Sequence, residues 1–290
     1  MARSEASIPL VFDIGFHRGE DTAFYLARGF RVLAVDANPE MVDRGRRIFS
    51  SALESGRLTL LQVAVAPAPG LARLHLSGNS EWVSLRRGIA ARRGRLAGEV
   101  QVHATTLRQL VREHGLPYYC KIDIEGMDLV ALSSLKDLPD PPQFLSVEAE
   151  CLSEIEDPDE DEEDATAALD ALCELGYKKF KLVDQYTLHV VEPGVPFFSR
   201  QHPLLVRTAD AVAARVRHPF WFSRRAARKR AGYSFPYGAS GAFGEMLPGR
   251  WVDATTAREA LVFHRADYFS VPGVPRFGFW CDLHAARGND

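Results

Sequence analysis

The sequence predicts an α/β protein built on an open, mostly parallel β-sheet, and three observations carry that prediction. Short apolar runs alternate with helical patterns through the first half of the chain, the βαβ rhythm of a parallel sheet. The first apolar run leads into Asp13-x-Gly15-x-x-x-Gly19, a glycine turn between a strand and a helix. Two later apolar runs are separated by only Asp184 and Gln185, and so short a connection forces an antiparallel pair.

Taken in order, residues 8–12 read as the first strand and 21–28 as the helix that follows, burying Phe24, Tyr25 and Ala27 and ending at Gly29. Residues 31–35 form the second strand. Asn38-Pro39 then opens a helix, with Pro39 in the first turn, where its missing N–H costs nothing. A third strand spans 58–65. From 67 to 105 the rhythm changes: 72–76 and 99–103 alternate as half-exposed strands do, which predicts a hairpin-like excursion around an irregular loop at 79–95. A helix at 107–114, a strand at 118–122, a helix at 129–135, a strand at 144–147 and a helix at 165–175 follow. The antiparallel pair, 179–183 and 186–191, completes seven strands, whereas a simple dinucleotide-binding fold keeps its last strand parallel.

Beyond residue 193 this rhythm is lost. A basic segment (Arg215, Arg217, Arg224, Arg225, Arg228, Lys229, Arg230), a Gly/Ser/Pro/aromatic stretch at 233–251, a helix near 256–265 and an aromatic tail, FGFWCDL, finish the chain. The expected organisation is a Rossmann-like core at 1–193 and a C-terminal extension at 194–290 packed on it, placed to act as a substrate lid.

Composition narrows the function. Hydrophobic residues at 46% and charged residues at 25% suit a soluble, well-cored protein, and a net charge of -3 gives no reason to expect nucleic acid as a partner. The four cysteines are scattered, with no C-x-x-C pair and no metal-ligand spacing, as expected of reduced, buried thiols. The N-terminal residues include Glu5 and lack the apolar core of a signal peptide, and no run approaches the ~20 apolar residues needed to span a bilayer. The expectation is a cytoplasmic protein acting on a small-molecule acceptor, free or carrier-bound, with no membrane partner. Composition does not address the oligomeric state.

Three constellations carry chemistry. Gly15 and Gly19 let the backbone pass close to a ligand, and Asp13, at a strand end, offers a carboxylate to a ligand ammonium group. The spacing is not G-x-G-x-x-G, so a pyrophosphate is poorly matched. Asp36 ends the second strand, beside the first, where an acidic side chain takes the ribose hydroxyls of an adenosine ligand. This pair of features fits a nicotinamide nucleotide as well. The third is Lys121-Ile122-Asp123-Ile124-Glu125-Gly126, whose alternation puts Lys121, Asp123 and Glu125 on one side of an extended strand. Its competing reading is an internal salt bridge between Lys121 and a carboxylate.

The runs VFDIGFHRGEDTAFYLARGFRVLAVDANPE, KIDIEGMDLVALSSL and LSVEAE together resemble the FkbM family of methyltransferases, over roughly residues 8 to 190. The resemblance implies a class I, Rossmann-like methyltransferase fold with S-adenosylmethionine as cofactor, and O-methylation of a sugar or secondary-metabolite hydroxyl. On it, Asp13, Gly15, His17, Gly19 and Thr22 fall in the cofactor loop, Asp36 and Ala37 at the ribose position, and Ala64 beside them. This chain has Phe16-His17-Arg18 where the family more often has a small residue and an asparagine, so the role of His17 is left open.

Methyl transfer to an alcohol also needs a proton removed, by a general base or by a metal that acidifies the hydroxyl. Asp123, Glu125 and Lys121 are the catalytic candidates, and with Glu148 the carboxylates would suit Mg²⁺, a reading that insensitivity to EDTA would remove. The covers over the acceptor are expected from 79–95 and 234–249. Two other functions compete. A nicotinamide oxidoreductase is disfavoured by the loop spacing and the antiparallel pair, and a non-catalytic binding protein on the same scaffold would bind the cofactor without turnover. The basic segment reads as a solvated helix face or as a site for an anionic acceptor or carrier, and the acidic run at 154–164 as a solvated helix start.

Overall fold

A computed structural model describes residues 8–91, 94–149, 166–185, 187–196, 229–270 and 279–288. The strands of the first half are β1 (Leu10–Ile14), β2 (Arg31–Asp36), β3 (Leu58–Gln62), β4 (Ala64–Val65), β5 (Gly70–Ser77), β6 (Leu96–Thr105), β7 (Tyr119–Ile122) and β8 (Phe144–Glu148). Then come β9 (Lys179–Asp184), β10 (His189–Val190), β11 (Lys229–Arg230), β12 (Tyr233–Ser234) and β13 (Cys281–Ala286). The helices are α1 (Glu20–Ala27), α2 (Pro39–Ile48), α3 (Ser50–Glu54), α4 (Arg87–Ala90), α5 (Leu107–His114), α6 (Asp128–Ser134), α7 (Ala167–Glu174) and α8 (Ala254–Phe269).

Eight strands form the main sheet in the order β10-β9-β13-β8-β7-β1-β2-β3. From β3 to β8 every neighbouring pair is parallel, whereas β13 runs antiparallel to both β8 and β9, and β10 antiparallel to β9. The mostly parallel α/β architecture is therefore as expected, with eight strands in place of seven. Central parallel strands are covered on both faces, which is why LVFDI of β1 and FLSVE of β8 are buried throughout. One face packs against α5, α6, α7 and α8. The other packs against α1, α2 and the segment from Phe235 to Leu247, where Phe243 stacks on Tyr119 with ring centroids 3.8 Å apart.

Local signals explain the element starts. Asn38 caps α2 by accepting from Glu40 N at 3.0 Å, with Pro39 in the first turn, Thr106 caps α5 from Gln109 N, and Asp253 caps α8 from Thr256 N. The third strand is shorter than expected. It leaves the main sheet after Gln62, and Ala64–Val65 pairs instead with β6 in a separate three-stranded sheet, β4-β6-β5, which contains the expected hairpin. Within the expected irregular loop, Ser80–Trp82 makes a 3-10 turn and Arg87–Ala90 forms α4.

The second departure concerns the antiparallel strand. The pair expected at 179–183 and 186–191 exists as β9 and β10, with Tyr186 outside the described residues, but β10 is two residues long and sits at the sheet edge. The antiparallel strand inside the sheet is β13, from what the sequence presents as an aromatic tail. Its residues alternate Cys281, Leu283 and Ala285 against Asp282, His284 and Ala286, and all six are buried. Two polar side chains in six residues mask the apolar signal of a buried strand. Residues beyond 193 thus supply part of the sheet itself, and α8 packs against β9 where His264 Nε2 lies 3.4 Å from Asp184 Oδ2. The acidic run at 154–164 and most of the basic segment lie outside the described residues; Lys229–Arg230 pairs with Tyr233–Ser234. Among the described residues, no helix is long and apolar enough to cross a membrane.

Candidate active site

The chain leaves β1 towards β2 and β3 on one side, then returns to β7 on the other, so a crevice opens at the carboxyl ends of β1 and β7. The cleft there encloses about 940 Å³, its open mouth included, and reaches from Asp36, Ala37 and Ala64 at one end to Asp123, Glu125 and Trp280 at the other.

The glycine turn is fixed by backbone contact. Gly15 N and Phe16 N both donate to Val35 O at 2.9 Å, which ties the turn to β2. Gly15 adopts φ +94, and a Cβ there would stand 1.8 Å from the carbonyl oxygen of Asp123, so no other residue fits. The unusual Phe16 is explained by packing. Its ring is 2% exposed, meets Phe49 edge-on at 5.9 Å, and occupies space that a Cβ on Gly19 or Gly45 would take. His17, at φ +49, donates its backbone N–H to Asp36 Oδ2 at 2.7 Å, and its ring lies 3.1 Å from Ser80 Oγ and 3.5 Å from Glu20 Oε1. Arg18 donates to the same Ser80 Oγ. The turn thus holds the Ser80–Trp82 cover through His17 and Arg18.

Asp36 is half-buried at the end of β2. Its two oxygens accept from His17 N and, at 2.8 Å, from Asn38 N, which orients the carboxylate towards the cleft it lines. Burial pushes its pKa up to about 6, against the pull of those two amides. Ala37, Met41, Val63, Ala64, Leu74 and Val83 make the surrounding wall apolar.

At the other end, the salt-bridge reading of Lys121 describes its surroundings. Its ammonium donates to Gly15 O at 2.9 Å and lies 3.4 Å from Asp13, 3.4 Å from Asp123 and 3.8 Å from Asp21. Burial works against its charge, but Asp123, Asp13 and Asp21 together hold its pKa well above the usual lysine value. Lys121 is 3% exposed and acts first as the anchor of the glycine turn. Asp13 and Thr22 lie beneath the cleft and do not line it. Thr22 Oγ1 donates to Asp13 Oδ2 at 2.6 Å, and burial pushes the Asp13 carboxyl up. His17, Gly15, Asp36, Ala37, Ala64, Lys121, Asp123 and Glu125 do line it, whereas Gly19 sits behind the turn.

Asp128 and Asp21, which the sequence did not single out, and Glu148, which it did, complete the site. Asp128 accepts from Ile124 N and Gly126 N, both at 3.2 Å, closing the Asp123-to-Gly126 turn; burial, then Asp123, pushes its pKa up to about 7. Asp21 accepts from Ser240 N at 2.9 Å and Gly241 N at 3.0 Å, latching the C-terminal segment to α1 beside the cleft. Burial pushes Asp21 up to about 7, against Lys121. Glu148 places a carboxylate oxygen within 4.8 Å of one from Asp123 and one from Glu125. An aspartate in the first turn of a helix resembles any helix start, so Asp21 carried no signal of a partner 219 residues away.

An acidic residue at the end of the second strand and a close-approach glycine at the end of the first stand together at the carboxyl ends of an open α/β sheet, where ligands of such sheets bind. The chain belongs to the FkbM methyltransferase domain family, which matches residues 13–179, more than half of its length. Its class of activity is therefore methyl transfer. No curated protein matches the chain. Among solved structures, it is similar to the precorrin-6y C5,15-methyltransferase from Geobacter metallireducens GS-15, with 15% identity and a TM-score of 0.34 over 61% of this chain and 68% of that one.

Proposed function

We propose that the protein uses S-adenosylmethionine to methylate a hydroxyl of a small-molecule acceptor, such as a sugar or a secondary metabolite. The observation that carries this reading is Asp36, a carboxylate aimed at the cleft by two backbone amides and set beside an apolar wall. Its remaining lone pairs suit the paired hydroxyls of a ribose, and Ala37, Met41 and Ala64 suit the flat faces of the adenine. When bound, the cofactor supplies a methyl group on a sulfonium, an already activated leaving group. Asp123 and Glu125 line the acceptor end and supply carboxylate oxygens to take the proton that the acceptor hydroxyl loses as its oxygen is methylated. Lys121 holds Gly15 against β7, so the donor and acceptor ends keep a fixed separation. Ser80, Gly238 and Trp280 reach the cleft from the two cover segments and the start of β13, where they exclude water.

Thermal-shift titration tests the reading. A ligand that binds only the folded state at a hundredfold excess over Kd stabilises it by about 2.7 kcal/mol. S-adenosylmethionine and S-adenosylhomocysteine are expected to give such shifts with the wild type, and no shift at millimolar ligand would end the proposal. In Asp36→Ala the shift is expected to vanish at the same concentrations, since charged hydrogen bonds worth about 1.5–3 kcal/mol each are lost. Because Asp36 also accepts two loop amides, Asp36→Asn provides the milder comparison.

The affinity of the wild type is expected to weaken as pH falls through about 6, where the Asp36 carboxylate gains a proton and ceases to be a charged acceptor. Calorimetric titration between pH 5 and pH 8 should show that dependence, and Asp36→Asn should lack it. Equal dependence in both proteins would assign the effect to another group.

A further inference from the structure

Residues 238–241 form a turn, Gly-Ala-Ser-Gly, between two aromatic anchors of the C-terminal segment. On one side Phe235 packs on Phe24, with ring centroids 4.7 Å apart, and on the other Phe243 stacks on Tyr119. The turn between them reaches the cleft. Gly238 lines it, and the neighbouring Tyr237 meets Trp280, another lining residue, edge-on at 6.2 Å. The side chains of the turn do little to hold it in place. Three of the four carry no polar atom, and the buried hydroxyl of Ser240 has no hydrogen-bond partner among the described residues. The hold comes from outside. Asp21, in the first turn of α1, accepts from Ser240 N with Oδ2 at 2.9 Å and from Gly241 N with Oδ1 at 3.0 Å. Gly241 has φ +97, and two successive N–H groups converge on one carboxylate, a form of backbone concavity that holds anions. Behind that carboxylate stands Lys121, 3.8 Å away, which also donates to Gly15 O. Two charged side chains thus tie the glycine turn to the cover. Hydrogen bonds to an ionised acceptor are roughly twice as strong as neutral ones, so the tie depends on the charge of Asp21.

We propose that Asp21 is a positioning residue that clips the 238–241 turn over the cleft while its carboxylate is ionised, and lets the turn swing out between Phe235 and Phe243 when that charge is lost. The turn is then a gate for whatever the cleft binds. That the bound molecules are S-adenosylmethionine and its acceptor rests on the proposed function, whereas the clip itself does not. Burial, opposed by Lys121 and aided by Asp13, pushes the Asp21 pKa up to about 7, so the clip loosens as pH falls through that value. The other titratable groups around Asp21 are Glu20 and Tyr25 on α1, Tyr119 on β7, Asp282 on β13, and Asp123 beyond Lys121. The turn itself brings no charge. Neither aromatic anchor titrates, so the segment stays docked when the clip opens.

Amide resonances of the whole chain, labelled with ¹⁵N, test the clip. The Ser240 and Gly241 amide protons are expected to move downfield together as pH rises from 5.5 to 8, with one midpoint at about 7, because an ionised acceptor deshields the proton it receives. In Asp21→Asn that titration is expected to be absent. Exchange of the same two amides with solvent is expected to be about tenfold faster, while the amides of β2 keep their protection and report the fold. Release of S-adenosylhomocysteine at pH 8, where the wild-type carboxylate is ionised, is expected to be about tenfold faster from the variant. Amides that do not titrate in the wild type, or that titrate equally in Asp21→Asn, overturn the clip. A variant with fast-exchanging amides that releases S-adenosylhomocysteine at the wild-type rate overturns the gate. If the two amides titrate as described and S-adenosylhomocysteine does not bind the wild type, the clip stands and the proposed cofactor falls.

Discussion

Replacing Lys121 by methionine is expected to cost the protein about 3–5 kcal/mol of stability, the range for removing one partner of a buried ion pair. The methionine fills most of the volume, so the loss is one of charge. Asp13 and Asp21 are buried within 3.4 Å and 3.8 Å of the ammonium, and without it two carboxylates face each other below the cleft. The glycine turn also loses the donor on Gly15 O. The deficit must depend on pH. Asp21 already titrates near 7 in the folded protein, far above its usual value, so the folded state binds more protons than the unfolded chain between about 4 and 7. Such a group lowers stability as pH rises through that window, and it does so more steeply once its counter-charge is gone. Urea unfolding at pH 5.5 and pH 8 should therefore show the smaller deficit at pH 5.5. Equal deficits at both values would mean that Lys121 acts through packing and not through its charge.

Gly15→Ala is expected to be worse. Strain at φ +94 is one part of the cost, and collision is the larger part, because a Cβ would lie 1.8 Å from Asp123 O and 2.8 Å from its carbonyl carbon. Neither side can give way cheaply: Asp123 N donates to Ile14 O at 2.9 Å, and β1 and β7 are paired in register up to that point. A loss beyond about 4 kcal/mol, with no response to S-adenosylmethionine, is the expected outcome. Gly29→Ala supplies the control, since Gly29 has φ +87 and nothing within 4 Å of an added Cβ. It isolates conformational strain, which for one residue is about 1–2 kcal/mol. If the two variants lost the same stability, close approach of the β7 backbone would not be what requires glycine at position 15.

Much of this architecture can be read in the sequence, and what cannot has a common physical cause. The strands β1, β2 and β8 are largely apolar because both faces of a parallel sheet are covered, and Asp13 and Asp36 stand out against them as carboxylates at strand ends. Gly15 and Asp36 are legible for that reason. The roles of Asp13 and Thr22 are not, because the same positions serve a ligand or a buried hydrogen bond equally well, and only the 2.6 Å contact between them decides. Phe16 looked like a departure within the loop. Its explanation lies in Gly45 and Phe49, on a different helix and its end. Asp21 depends on Ser240, more than 200 residues away, and β13 on β8, about 130 residues away, and no local pattern records such a pairing. The tail carrying β13 hides for a further reason: a strand that presents Asp282 and His284 to a polar interior does not look like a buried strand.

The position of β13 between β8 and β9 also sets the order in which the nascent chain can become a protein. On the ribosome, β1, β2, β3, β7 and β8 can all pair once residue 148 has emerged. The edge formed by β9 and β10 joins β8 through residues 281–286, so it waits until residue 286 has been translated. Until then β8 presents an open parallel edge, the kind of surface that recruits chaperones or a neighbouring copy. A ribosome stalled short of residue 280 would leave one end of the cleft unbuilt, because the segment that closes the sheet also brings in Trp280. Synthesis of the last strand is thus the step that turns a half-formed sheet into a site.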